Sequence, residues 1–390
     1  MKIRDVYTAN PIKNANNHSD YINYIDTSSV NQGRLENVQY LVNGQYPSRA
    51  QRMVEYGDIL YSSVRPNLRH YYLYKNDLSH PVASTGFILL RQHNYDYDNE
   101  FCYYYLSTDS VVTFLSNIAE LSQATFPSCS AKDITNINIP LFSIDKQRRI
   151  SSILSAYDNL IENNNRRIGL LEQMAENLYK EWFVRFRFPG HEKAEFENGL
   201  PKGWRYENLF NISDISYGYA FKSDLFCQDE SQNAVVRIRD IQDNHTDTYT
   251  NEFCDDKYLI EENAILVGMD GLFHMCLWNG EKAYLNQRVV KIISKQNNLC
   301  NYMLFMAIRP QIKFWEQVIA GTTVAHLGDK HLRKIKVAIP DDKLLAKADS
   351  MFRRIMIKKN LLFKQNTFLS RQRDLLLPRL MSGKLEVKTK

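Results

Sequence analysis

The stretch Tyr61-Ser62-Ser63-Val64-Arg65-Pro66-Asn67-Leu68-Arg69 gathers hydroxyls, two guanidinium groups and an amide around one proline. Read as a strand that runs into a stiff, exposed loop, it offers the forked donors of arginine and the paired donor and acceptor of asparagine, the groups that engage guanine and adenine edges bidentately. A loop whose arginines only face solvent is the alternative. Further along, Tyr217-Gly218-Tyr219-Ala220-Phe221-Lys222-Ser223 has a glycine and small residues suited to a turn that lets the backbone approach a ligand, with Lys222 placed to meet a phosphate. Val236-Arg237-Ile238-Arg239-Asp240-Ile241 alternates as a strand does, which puts Arg237 and Arg239 on one face.

Residues spaced for bond-making chemistry are missing. The sequence has no GxGxxG, no Walker loop, no GxSxG elbow and no HExxH. The only Asn-Pro, Asn10-Pro11, is followed by isoleucine and so lacks the Pro-Pro-aromatic continuation of an adenine methylase. Six cysteines (Cys102, Cys129, Cys227, Cys254, Cys276, Cys300) never fall at the spacing of zinc pairs, and the closest histidines, His326 and His331, have only Asp329 beside them. No metal site and no catalytic residue is expected; the sequence supports binding.

These candidates hang on two long helices. At 150–182, Ile150, Leu154, Tyr157, Ile161, Asn164, Ile168, Leu171, Ala175, Leu178 and Trp182 are spaced by alternating steps of four and three, a heptad seam. The same seam recurs 198 residues later at 348–380, where Ala348, Ile355, Leu362, Leu369 and Leu376 keep a seven-residue repeat. Laying one seam against the other buries both. Asn164 in the first seam and Lys359, Asn366 and Arg373 in the second are polar where leucine would be permissive. Either they penalise wrong registers, since a shifted helix leaves an amide unpaired, or the two cations snorkel to solvent.

The repeat extends upstream. Ala124-Thr125 aligns with Thr322-Thr323, and Ile134, Ile137 and Ile139 with Leu332, Ile335 and Val337. Ile265-Leu266-Val267-Gly268-Met269-Asp270-Gly271 is the approximate counterpart of Ile59-Leu60-Tyr61-Ser62-Ser63, and Phe314-Trp315 and Ile319-Ala320-Gly321 nearly mirror Phe114-Leu115 and Ile118-Ala119-Glu120. Two copies make a pseudo-dimer within one chain rather than a solenoid. The expected fold class is α+β: two mixed domains at 1–140 and 191–340, a central helical spacer at 141–190 and a C-terminal one at 341–390, the helices packed as an antiparallel coiled coil. Within the first domain, strands are expected around Tyr21, Asp58 and Phe87, and helices around Phe101 and Val111. The second helix is expected to give way to Leu377-Pro378-Arg379-Leu380-Met381-Ser382-Gly383.

Composition fits a folded soluble chain, and its mild basicity permits a polyanion partner without demanding one. Of 390 residues 44% are hydrophobic and 24% charged, the net charge is +5, and there are 24 Tyr and 19 Phe. Scattered cysteines, a polar start and the lack of any run of about 18 apolar residues give the expectation of a cytoplasmic protein with no membrane partner.

Several segments together resemble the specificity subunit of type I restriction-modification systems. They are Ile139-Pro140-Leu141 through Asp145-Lys146-Gln147-Arg148-Arg149-Ile150, Leu170-Leu171-Glu172-Gln173-Met174-Ala175, Leu178-Tyr179-Lys180-Glu181-Trp182-Phe183, Leu200-Pro201-Lys202-Gly203-Trp204, Gly218-Tyr219-Ala220-Phe221-Lys222-Ser223 and Leu376-Leu377-Pro378-Arg379-Leu380-Met381-Ser382-Gly383. The resemblance covers essentially the whole chain. One departure is the start of the second helix, Asp341-Asp342-Lys343-Leu344-Leu345, which lacks the Glu-Gln pair usual there.

The resemblance implies a non-catalytic subunit that reads a bipartite asymmetric site in double-stranded DNA, one target recognition domain per half, with the paired helices as a ruler. About 33 seam residues at 1.5 Å rise make a helix near 50 Å, about one to one and a half DNA turns. It further implies two modification subunits that use S-adenosylmethionine to methylate adenine N6, and two restriction subunits that use ATP and Mg. No cofactor is bound by this chain itself. DNA contact is then expected from Ser63, Arg65, Asn67 and Arg69 in the first domain and from Lys222, Arg237, Arg239 and His274 in the second. Helix pairing and partner docking are expected along Ile150, Leu154, Ile161, Asn164, Leu171, Trp182, Ile355, Leu362, Leu369 and Leu376. Two other classes remain open: a coiled-coil scaffold with two peptide-binding domains, and a single-chain methylase or nuclease.

Overall fold

The computed structural model describes residues 1–11, 20–122, 126–319 and 325–387. The chain divides into two compact units, one of residues 1–162 with 367–390 and one of residues 163–366. Each contains a mixed domain and half of each long helix. The aligned pairs Ala124-Thr125 and Thr322-Thr323, and Ala320-Gly321, lie outside the described residues.

In the first unit, an antiparallel sheet takes the order Tyr7–Ala9, Phe87–Gln92, Ile59–Ser62, Tyr71–Leu73. Its central strands carry unbroken apolar runs because both faces are covered. Period-two alternation sends Ile59, Tyr61, Ile88 and Leu90 to one face, where they pack with Phe101, Leu115, Ile134, Ile150 and Leu154. Leu60, Phe87 and Leu89 point to the other, against Ile25 and Ala83 of a second sheet. That second sheet runs Gln39–Val42, Tyr21–Ile25, Pro81–Ser84, Ala50–Met53, with Tyr24 opposite Val82 in its one parallel pair. Helices Asn99–Leu106 and Asp109–Glu120 stand where the apolar periodicity placed them.

The second unit repeats this plan. Its antiparallel sheet is ordered Ser213–Tyr217, Val289–Ser294, Ile265–Gly268, Met275–Leu277, and its second sheet again holds one parallel pair, Val235 opposite Tyr284. Ile265, Val267, Val290 and Ile292 face one core and Leu266 and Val289 another, the same alternation as in the first unit. Here one helix, Asn301–Ile319, takes the place of two.

The first long helix runs Ile144–Tyr179 and widens into a π-turn at Lys180–Val184; the second runs Asp342–Met381. Within each unit they pair antiparallel. In the second unit the Asn164 amide donates to Asn366 Oδ1 at 2.9 Å, the Lys359 ammonium to Glu172 Oε1 at 2.5 Å, and the Tyr179 ring meets Phe352. In the first, Arg373 Nη1 donates to Asp158 Oδ1 at 2.6 Å, and Ile150 and Leu154 share a core with Leu376 and Leu380. Ile150, Leu154, Ile161, Asn164, Trp182, Ile355 and Leu362 are buried, while Leu171, Leu369 and Leu376 are half-buried. Lys359 and Arg373 therefore do not snorkel: each cation is matched by a carboxylate on the facing helix, with only 9% of the Lys359 side chain exposed.

Asp158 also accepts from the Tyr104 hydroxyl at 2.6 Å, so one carboxylate ties a domain helix to both seams. Burial alone would lower the Arg373 pKa, but Asp158 and Asp374 outweigh it and hold the guanidinium above the usual arginine value. In the duplicated position, 198 residues on, Tyr302 is kept but Met356 replaces the acceptor, and the buried Tyr302 hydroxyl has no hydrogen-bond partner among the described residues. Arg373→Ala should cost about 1–3 kcal/mol, less than a fully buried pair because both side chains keep some solvent. A double-mutant cycle with Asp158→Ala in urea should return a coupling of about 1 kcal/mol or more; additive losses would sink the assignment of this pair as a lock.

Three expectations are corrected. The alternating stretch 236–241 is not a strand: pairing stops at Val236 and Ile238–Asp240 is a 3-10 turn. The Asp240 carboxylate takes the Arg237 backbone N–H at 2.8 Å, a local bond that outcompetes the ladder. Pro378 does not mark the end of the second helix, which continues to Met381 because Leu380 and Met381 are buried in the first unit's core; Gly383, at φ +71°, then turns the chain. Gly218 makes room for backbone rather than for a ligand, with Tyr219 bridged to Asn286 beside it.

Candidate nucleic-acid interface

The first domain's loop leaves the strand Ile59–Ser62 and is fastened from two sides. Ser63 donates both its backbone N–H, at 2.8 Å, and its hydroxyl, at 2.9 Å, to Gly86 O in the turn that links Pro81–Ser84 of one sheet to Phe87–Gln92 of the other. From the other side, Cys129 N donates to Ser63 O, Arg65 N donates to Pro127 O at 2.9 Å, and Val64 is bridged to Ser128. Arg65 and Arg69, at φ +48° and +57°, bracket the 3-10 turn Pro66–Leu68 in left-handed conformations that non-glycine residues adopt only when their surroundings hold them there.

The side chains then divide. Arg65 is exposed, its guanidinium lying over the Phe126 ring at 5.7 Å from the centroid, and Asn67 is exposed beside it. Arg69 is committed instead to Asp109, with Nη2 to Oδ1 at 2.5 Å. Burial would lower its pKa, and the contacts with Asp109 and Tyr71 raise it beyond that loss. The Ser63 hydroxyl is likewise spent on the frame. Among the described residues, Arg65 and Asn67 are thus the two of the four whose side chains make no hydrogen bond.

In the second domain the loop with the same place in the sheet is 269–274, between Ile265–Gly268 and Met275–Leu277. Its backbone fastening repeats the first, without the Ser63 hydroxyl bond, since Met269 stands in that place. Met269 N donates to Arg288 O at 2.9 Å, Leu327 N to Met269 O at 2.7 Å and Gly271 N to Ala325 O at 3.1 Å, while Asp270 is bridged to His326. Of the four expected contact residues here, only His274 lies on this loop. Lys222, Arg237 and Arg239 belong to the second sheet's surroundings. Lys222 is exposed with its backbone N–H on Glu252, Arg237 lies 5.6 Å over the Phe226 ring, and Arg237 and Arg239 both approach Asp240, at 3.7 and 3.5 Å. The structure brings together the first domain's four residues and not the second domain's.

The sequence set 265–271 only approximately against 59–63 and did not single out the loop as the second contact site; the matching backbone bonds put Gly271 opposite Arg65. What the sequence did not reveal is that side chains reach this loop from other segments: the Arg288 guanidinium from the turn before Val289–Ser294, and the His326 imidazole from the segment before the last short helix. No spacing rule links those positions to 270.

Two copies of one sheet-and-loop frame, each seated on a shared pair of heptad helices, define a duplicated recognition protein. Its sequence matches the family described as Type I restriction modification DNA specificity domain over residues 1–173 and 201–348, and the chain belongs to that family. It is 22% identical to the Type I restriction enzyme HindI specificity subunit of Haemophilus influenzae, over 96% of this chain and 97% of that one. It is 25% identical to the MjaIX specificity subunit of Methanocaldococcus jannaschii, over 74% of this chain and 69% of that one. Among solved structures, the S subunit of a type I restriction-modification system from M. genitalium has the same fold at a TM-score of 0.56 and 14% identity, covering 97% of this chain and 95% of that chain.

Proposed function

We propose that this chain is the DNA-reading subunit of a type I restriction-modification complex, with one domain for each half of a split, asymmetric site. The observation that carries this is the repeated loop frame with unlike contents. Val64, Arg65 and Ser128 in one copy stand where Asp270, Gly271 and His326 stand in the other. Equal frames present loops in the same way, and unequal side chains select different bases. The chain reads and does not catalyse.

Adenine methylation and DNA cleavage belong to modification and restriction subunits, two of each, which supply S-adenosylmethionine, ATP and Mg chemistry. Partner docking on the helices is supported by apolar residues left outside the seams: Leu170 and Met174 on the first helix and Leu361, Phe368 and Leu375, at seven-residue spacing, on the second. Among the described residues no helix is long and apolar enough to cross a membrane, and a cytoplasmic location follows from the work assigned.

The test is to express the chain with its modification subunit in a host without adenine methylation of its own and to map N6-methyladenine. A split motif with a fixed gap, methylated once on each strand, is expected. DNA affinity should also fall steeply with salt, as phosphate-contacting proteins do. A folded complex that leaves no motif and binds DNA without salt dependence would favour the peptide-binding scaffold.

A further inference from the structure

The two loop frames differ in where their cation comes from. In the first copy it is Arg65, at the loop tip, and the residue of the facing turn that accepts from the loop is Gly86, with no side chain to offer. In the second copy the tip residue is Gly271 and the accepting residue of the facing turn is Arg288. The positive group has moved from the loop to the facing turn within an otherwise matching frame.

Arg288 sits beside a carboxylate. Its Nε lies 3.3 Å from Asp270 Oδ2, an ion-pair contact rather than a hydrogen bond, and the other oxygen of that carboxylate shares a hydrogen bond with His326 Nδ1 at 2.6 Å. Asp270 is itself pinned by its bridge to His326. With Nε the atom nearest Asp270, the two terminal amino groups of the guanidinium make no hydrogen bond among the described residues, and 55% of the side chain is exposed. A planar fork drawn to one side by a fixed carboxylate loses less freedom than a free chain when it meets a flat bidentate acceptor. Guanine O6 and N7 form such an acceptor in the major groove. As a contribution to folding, an ion pair this open counts for little.

We infer that Arg288, placed beside Asp270, reads a guanine in the half-site of the second domain, as the counterpart of the DNA contact expected from Arg65 in the first. The inference rests on the DNA-reading function proposed above and adds a residue and a base to it. Asp270 is a positioning residue, not a contact.

The experiment uses the full chain in complex with its modification subunit. The probes are the split duplex found by methylation mapping and copies with each base pair of either half replaced in turn. Arg288→Ala should flatten the preference for one G·C pair by about 10- to 100-fold, in the half that Arg65→Ala leaves untouched, with an unchanged thermal unfolding midpoint. Arg288→Lys should keep the salt dependence yet lose the base preference, and Asp270→Asn should weaken that preference at the same base pair only. The inference is overturned if Arg288→Ala keeps every wild-type preference, if it and Arg65→Ala relax the same half, or if its loss is uniform across sequences and restored by lysine, the behaviour of a phosphate contact. A wild-type complex with no base preference in either half would bring down the DNA-reading assignment itself, and this inference with it.

Discussion

Gly218→Ala is expected to unfold the second domain, at a cost of about 4 kcal/mol or more. A Cβ at this position would lie 1.9 Å from the carbonyl oxygen of Asn286, 2.3 Å from its carbon and 2.6 Å from Leu285 O. Those are backbone atoms, so no rotamer change relieves the overlap. The backbone itself is committed: Gly218 N donates to Val289 O, and Tyr219 N donates to Leu285 O at 2.8 Å. Giving way means breaking the crossing where the edge strand Ser213–Tyr217 hands the chain over to the second sheet. Gly169 is the control, since nothing among the described residues lies within 4 Å of its Cβ position on the first long helix, and Gly169→Ala should stabilise by about 0.5–1 kcal/mol. Guanidinium unfolding followed by hydrogen exchange of strands 265–268 and 289–294 measures both. A Gly218→Ala variant within 1 kcal/mol of the parent would sink the close-packing account.

The heptad seams show why so much of this architecture was readable in advance. A spacing of four and three over 33 residues repeats one physical demand many times, so single exceptions such as Asn164 or Lys359 do not erase it. The buried strands Ile59–Ser62 and Phe87–Gln92 were legible for the same reason, as were the helices near Phe101 and Val111. The stretch 236–241 was not, because its alternation is short and a single carboxylate, Asp240, redirects it through one bond to Arg237 N. The candidate interface was half legible. Arg65 and Asn67 sit within one continuous loop, which a linear reading can see. Arg288, Asp270 and His326 come from three segments brought together only by the sheet and by the bridge at 270 and 326. Their partnership is a property of topology, and sequence spacing carries no trace of it.

Duplication also explains where the two units part company. Tyr104 and Tyr302 are equivalent, yet the first has Asp158 as acceptor while the second lies beneath Lys359, whose ammonium is 4.9 Å from its ring centroid. One copy fastens domain to seam with a charged triad. The other does so with packed rings, and that difference sets the remaining prediction.

Phe352 is fully buried and meets two tyrosines edge-on: Tyr179 of the first long helix, at 6.4 Å and 66°, and Tyr302 of the domain helix, at 6.2 Å and 85°. Its side chain thus joins the second long helix to both. Phe352→Ala removes the ring from a core that cannot close around the gap, because Tyr179 and Tyr302 are anchored on separate helices, and should cost about 3–5 kcal/mol. Phe352→Leu keeps most of the volume and should cost about 1.5 kcal/mol or less. The equivalent position in the first unit is Leu154, also fully buried, where Leu154→Ala should cost about 2–5 kcal/mol. Hydrogen exchange separates the two: Phe352→Ala should expose helix 301–319 while leaving strands 59–62 and 87–92 protected, and Leu154→Ala should do the reverse. The Phe352 variant should then lose preference in the half-site read by the second domain, although Phe352 touches no candidate DNA contact. Retained protection of 301–319 together with a cost below about 1 kcal/mol would mean that this ring does not couple seam to reader.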